Sequence, residues 1–306
     1  MGFDPQAIIN SRLGIGLALF LGRSVPPVAG YRLAYFVADR IASRKNWRMV
    51  KAYRVNQWVV GGEKLSSQEL DQAVQETLHN TAHSIYELYH YVHEPAAVAR
   101  LFPFNPLGRQ FFERQADKEE GAVVVGPHIG NFDLALQTLQ SVYLQGLCSM
   151  VLTLPDVSEG GYRWQYEMRK STGMEIVPTT PATLRQAAER LRAGEIVLTG
   201  LDRPIQAEKY RPRFFGRPAS LPVHHIYLAL KARVPVFVVA TMMQADGTYH
   251  FQVSEPITMI SHPNRGMEII MNAEAVLRVA EDFIRQAPQQ WSMPFPVWPE
   301  VMDQVP

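Results

Sequence analysis

The stretch Gly121-Ala-Val-Val-Val-Gly-Pro-His-Ile-Gly-Asn-Phe-Asp133 decides how the rest of the chain is read. Its first six residues form a short apolar run rich in valine and bounded by glycines, the pattern of a strand buried on both faces. Asn131 is placed to cap a following helix, which puts Asp133 in the first turn of a helical run reaching about Leu144. A strand followed so closely by a helix is the opening of a parallel α/β unit. His128 then stands just beyond the strand's carboxyl end, where open α/β sheets bind their ligands.

Downstream the alternation continues. Leu147 to Leu152 reads as a strand, Gly161 to Thr172 as a helix and Glu175 to Val177 as a short strand. Pro181 starts a helix whose Leu184, Ala187, Ala188 and Leu191 share one face, with Gly194 beyond its end. Glu195 to Leu198 is a further strand, and Asp202 to Gly216 a long polar loop rich in Arg, Lys and Pro, the kind of segment that often carries function. Val223, Ile226, Tyr227 and Leu230 have core-facing helical spacing. Val234 to Met242 and Tyr249 to Val253 read as strands around the turn Ala245-Asp-Gly247, and Met267 to Ala287 as a last helix stopped by Pro288. The expected class is α/β, a mostly parallel central sheet flanked by helices. Upstream, Ser66-Ser-Gln-Glu69 has capping-box spacing and opens a long helical pattern towards His93. A helical, membrane-proximal portion over residues 1–106 and an α/β core over 107–306 are expected, possible parts of one integrated domain.

Composition narrows the function. With 47% hydrophobic and 19% charged residues in 306, the chain carries a substantial core, and a formal charge of +1 offers no global attraction for nucleic acid. Its one cysteine, Cys148, excludes intrachain disulfides and multi-cysteine metal sites, and fits a reducing compartment. Flanked by Leu147, Met150, Val151 and Leu152, it reads as a buried hydrophobe rather than a nucleophile. His224 and His225 adjoin on a predicted helix and point to different faces, which argues against a shared metal. There is no Gly-x-Ser-x-Gly elbow and no Walker loop, and Gly14-Ile-Gly16 lacks the strand and third glycine of a dinucleotide site.

Charge is distributed unevenly. Residues 1–54 hold nine basic and two acidic side chains, a net +7, against −6 for the rest. Within them, Leu13-Gly-Ile-Gly-Leu-Ala-Leu-Phe-Leu-Gly22 is apolar but shorter than the roughly 20 residues that span a bilayer. Arg23 and a Pro-Pro pair follow it rather than a small-residue cleavage site, so it is expected to be retained. Apolar residues beside clustered Arg and Lys suit an anionic membrane surface, each base contributing on the order of 1 kcal/mol. A core helix with a solvated basic face fits the same residues.

Four residues separate His128 from Asp133, enough for the chain to turn back so that the carboxylate bonds one imidazole nitrogen and leaves the other to take a proton from a substrate hydroxyl. An ordinary loop histidine followed by a helix-start carboxylate fits the spacing equally.

His128-Ile-Gly-Asn-Phe-Asp133 resembles the His-x-Gly-Asn-Trp/Phe-Asp signature of the glycerolipid and lysophospholipid acyltransferase superfamily, in the branch of the lipid A late acyltransferases and the phosphatidylinositol mannoside acyltransferases. Tyr162-Arg163, Arg169-Lys-Ser-Thr-Gly173, Leu198-Thr-Gly-Leu-Asp-Arg203, Phe214-Phe-Gly-Arg-Pro-Ala219 and Ala287-Pro-Gln-Gln-Trp291 resemble further blocks in the same order, across roughly residues 121 to 298. The chain departs from the pattern at Asp202-Arg203 and Gln289, and Ser292 to Trp298 lacks the basic tail of the lipid A enzymes. The resemblance implies an O-acyltransferase with His128 as general base and Asp133 as its partner. It implies substrate contacts at Asn131, Arg169, Asp202, Arg203, Phe215 and Gly216, with Arg169 and Arg203 suited to phosphate or developing negative charge, or else to surface ion pairs. It further implies acyl-CoA or acyl carrier protein as donor, a lipid or glycolipid acceptor, no metal or bound cofactor, and a peripheral place on the cytoplasmic face of the inner membrane. A thioester hydrolase using the same residues, or an inactive lipid-binding protein, are the alternatives.

Overall fold

The computed structural model describes residues 16, 20–103, 120–143, 149–153, 166–167, 170, 175–205 and 208–306. The described helices of the N-terminal portion include α1 (Pro27–Ala42), α2 (Arg48–Val60), α3 (Ser67–Tyr91) and α4 (Pro95–Leu101). The Ser66 hydroxyl accepts the Glu69 N–H while the Glu69 carboxylate accepts the Ser66 N–H, so α3 starts with the capping box expected of its sequence. Then follow β1 (Ala122–Gly126), α5 (Phe132–Thr138), β2 (Ser149–Thr153), β3 (Glu175–Pro178), α6 (Pro181–Arg192) and β4 (Ile196–Gly200). A short hairpin, β5 (Arg213–Phe214) and β6 (Arg217–Pro218), precedes α7 (His224–Ala232), β7 (Val236–Met243), β8 (Tyr249–Val253) and α8 (Arg265–Gln286).

Among the described residues, six strands form one sheet in the order β3-β2-β4-β1-β7-β8, parallel throughout except that β8 runs antiparallel to β7. Successive β1 side chains enter opposite cores, as strand alternation requires. Val123 and Val125 join Met150, Val197 and Val236 in the core built with α2, α6, α7, α8 and the first half of α3. Val124 joins Val151, Ile176 and Leu198 in the core built with Leu88 of α3, Val98 of α4 and Leu134 of α5. Helices therefore cover both faces, which is why the buried centres of β1, β2 and β4 are runs of apolar residues, Val123–Val125, Met150–Leu152 and Ile196–Leu198.

Two departures from the sequence expectation are local. The helical run after Asn131 tightens to α5 and continues as one wide turn over Leu139–Tyr143. The polar loop that starts at Asp202 folds part of its length into the β5–β6 hairpin. The helix expected over Gly161 to Thr172 and Cys148 lie outside the described residues, apart from positions 166, 167 and 170.

Candidate active site

Pairing between β1 and β4 builds the site. Gly126 and Gly200 end these neighbouring strands in register, so the residues two steps beyond each, His128 and Asp202, leave the sheet side by side. The His128 Nδ1–H donates to Asp202 Oδ1 at 2.6 Å and the His128 backbone N–H to Asp202 Oδ2 at 2.8 Å. The Trp291 indole N–H donates to the same Oδ2 at 2.7 Å. The Asp202 side chain is fully buried whereas that of His128 is 25% exposed, so the pair has one accessible end. Burial alone would raise the Asp202 carboxyl, but the His128 charge and the donors from His128 and Trp291 hold it below the ordinary carboxylate value.

The loop carrying His128 is shaped by its glycine and clamped from behind. Gly130 has φ +62°, and a Cβ there would lie 2.3 Å from the Thr241 carbonyl oxygen, so no other residue fits without displacing β7. Gly130 N–H donates to the Gln290 carbonyl and Ser292 N–H to the His128 carbonyl, at 3.0 and 2.8 Å. The ring packs edge-on against Phe132, centroids 4.7 Å apart, and beside Gly200, where an added Cβ would approach its Cε1 to 3.2 Å.

The family resemblance implied Asp133 as the partner of the imidazole; in the structure the Nδ1 partner is Asp202, because strand pairing, not the short return into α5, sets what faces the ring. Asp133 is buried in the first turn of α5, lines the same cavity as His128, and its charge adds to burial in pushing the Tyr89 hydroxyl up to about 12. Asn131 caps α5 through its side-chain oxygen, and its amide donates to Glu87 and to the Ser84 carbonyl. Arg203 lines the cavity with its guanidinium 4.5 Å over the Phe295 ring. Arg169 lies outside the described residues. Phe215 and Gly216, at φ +48° and +77°, form the tip of the β5–β6 hairpin and are not among the cavity's lining residues. Their block reaches the site at one remove: Phe214 packs on Trp291 and stacks on Trp298, and Arg285 lies over the Phe215 ring.

The cavity encloses about 430 Å³, within the usual range for a small-molecule site. Its lining includes the apolar side chains of Leu88, Val124, Ala135, Leu136, Leu139 and Val151 and the hydroxyl-bearing side chains of Tyr53, Thr81, Ser84 and Ser292. His224 lines it too, its Nε2 2.9 Å from the Thr199 hydroxyl, while His225 is buried in the core. Burial depresses these histidines to about 4 and about 3, with the charge of His224 adding to the shift on His225. No group of three or more His, Cys, Asp or Glu side chains is arranged to hold a metal among the described residues.

Residues 4–299 match the model of the bacterial lipid A biosynthesis acyltransferase family. The chain belongs to that family. It is also 28% identical over 136 residues to a phosphatidylinositol mannoside acyltransferase of Mycolicibacterium smegmatis, a match that spans 43% of each protein. The family resemblance read from the blocks around His128 and Trp291 is thus met by a match over nearly the whole acyltransferase-family chain. Trp291 was legible as part of a closing block but not as a donor to Asp202, a contact between positions 89 residues apart. Glu87, buried between Tyr86 and Leu88, gave no local sign beyond a charge in an apolar neighbourhood.

Proposed function

We propose that this protein moves a fatty acyl group from a thioester donor, acyl-CoA or acyl carrier protein, to a hydroxyl of a lipid or glycolipid, at the cytoplasmic face of the inner membrane. The observation that carries the reading is the His128–Asp202 pair, buried at its acid end and, at its imidazole end, lining a cavity with many apolar side chains in its wall. With Nδ1–H committed to the carboxylate, Nε2 is the nitrogen left to accept a proton. Nε2 takes the proton of the acceptor hydroxyl as its oxygen attacks the thioester carbonyl. The tetrahedral oxyanion collapses, the C–S bond breaks, and the thiolate recovers the proton from the imidazolium. Asp202, held ionised in the interior, stabilises that imidazolium. A positioned base supplies roughly 10²- to 10⁴-fold; alignment and charge stabilisation, with Arg203 at the cavity wall, supply the rest. Asp133 is a second catalytic candidate, since its carboxylate shares the cavity wall.

Peripheral membrane docking is supported by α1. Its outer face exposes Val28, Leu33, Phe36 and Val37 beside Arg32 and Arg40, and Phe20 is exposed just before it. Among the described residues no helix is long and apolar enough to cross a membrane.

The test is purified protein with labelled acyl donors and a panel of glycolipid acceptors. Thiol release coupled to acceptor acylation, lost by about 10²-fold or more in His128→Ala, is the expected result. Free fatty acid formed at a rate independent of acceptor would replace the reading with a hydrolase. Vesicle binding with no chemistry in the native protein would replace it with a lipid-binding role.

A further inference from the structure

We infer that Glu87 is a positioning residue for His128, acting through Asn131; the inference rests on His128 being the reactive base. Glu87 is 1% exposed in α3 and does not line the cavity, so it does not meet substrate itself. Its two oxygens gather donors from four separate places. Oε2 accepts from the Tyr249 hydroxyl of β8 at 2.7 Å and from the Asn131 amide at 3.0 Å. Oε1 accepts from His83 Nε2–H at 2.9 Å and from the Tyr31 hydroxyl of α1 at 3.2 Å. Every donor is aimed at an oxygen, which fits a carboxylate with its accepting directions filled.

Of these, Asn131 leads to the site. Its amide nitrogen is tied to Glu87 and, at 3.3 Å, to the Ser84 carbonyl, while its oxygen accepts the Leu134 N–H at 3.4 Å. The side chain is therefore pinned between α3 and the start of α5, three residues after His128. On the other side, Gln290, Ser292 and the Thr241 hydroxyl hold the backbone of Gly130, His128 and Ile129. The C-terminal segment and β7 fix one flank of the loop, and α3, through Glu87 and the Ser84 carbonyl, holds the other. Without Glu87 the Asn131 amide keeps only the Ser84 carbonyl, and the flank of the loop facing α3 loses its charged acceptor in a buried place.

Asn131→Asp isolates this link, because aspartate still caps α5 but sets a second carboxylate against Glu87. Adding Glu87→Gln restores a donor and acceptor facing each other with the roles exchanged. We expect Asn131→Asp and Glu87→Ala each to lower kcat about 10²-fold with the donor KM within about twofold, since small displacements of a reacting group cost that much. Amide exchange across 128–131 should rise in both, and Asn131→Asp/Glu87→Gln should recover most of the activity and protection, a coupling that independent structural losses do not show. A folded Glu87→Ala with native kcat and exchange overturns the inference. So does a double variant no better than Asn131→Asp in either measurement. Should Glu87→Ala not fold, the Asn131→Asp pair still decides. A native protein that turns over no thioester refutes the acyltransferase reading instead, and amide exchange then tests the placement by itself.

Discussion

Replacing Asp202 with asparagine would keep two of the three hydrogen bonds its carboxylate accepts and reverse the third. The His128 backbone N–H and the Trp291 indole both point at Oδ2, so the amide oxygen settles there. The amide NH2 then occupies the place of Oδ1, 2.6 Å from His128 Nδ1, and donates where the carboxylate accepted. Nδ1 must become the acceptor, the ring proton moves to Nε2, and the nitrogen facing the cavity can no longer take a proton from a hydroxyl. Trapping the wrong tautomer in this way costs about 10⁴-fold in kcat, or about 5 kcal/mol of barrier. The assay is thiol release from acyl-CoA with acceptor present, alongside thermal unfolding to count folded enzyme. A pH signature accompanies it. The Asp202 carboxyl lies below its ordinary value of 3.8 in the folded protein, so it adds stability above that value that is lost as pH falls through the folded value. Asp202→Asn should lack that part of the acid destabilisation. Activity within tenfold of native in Asp202→Asn, with the large loss found in Asp133→Asn instead, would show that the ring is served by the other carboxylate.

Other expectations follow from the same geometry. Trp291→Phe removes a donor to a buried carboxylate and should lower stability by about 1–3 kcal/mol beyond the loss of ring volume, together with activity. Trp298→Phe is the control, because its buried indole N–H has no partner among the described residues; equal denaturation midpoints for the two variants would contradict the assignment. Ala135, 5% exposed on the apolar wall, should as phenylalanine shift the product profile to shorter acyl chains by mass spectrometry, and an unchanged profile would move the acyl chain elsewhere. Phe36 and Val37, exposed on α1, should as serines weaken binding to anionic vesicles about tenfold or more without changing the unfolding temperature, since inserting such side chains is worth about 1–2 kcal/mol each. Vesicle flotation reads the loss, and undiminished binding would take the membrane surface away from α1.

How much of this was legible beforehand depends on how local each feature is. Apolar runs such as Val123 to Val125 and caps such as Ser66 and Asn131 act within a turn or a strand, and so did the period that buried Ala187, Ala188 and Leu191. These features determined by themselves an α/β chain with helices first, and they placed His128 at a strand's end. The partner of that histidine was not local. Asp202 reaches it because β4 lies beside β1 with Gly126 opposite Gly200, although β2 and β3 come between them in sequence. Trp291 and Glu87 arrive from opposite ends of the chain, one at Asp202 and one at Asn131. Periodicity reports which face of an element is buried; only the pairing order of the strands and the packing of α3 and the C-terminal segment decide which polar groups meet inside. Spacing therefore allowed, and the family motif suggested, the carboxylate five positions along the chain, while the assembled sheet put the one 74 positions away on the ring.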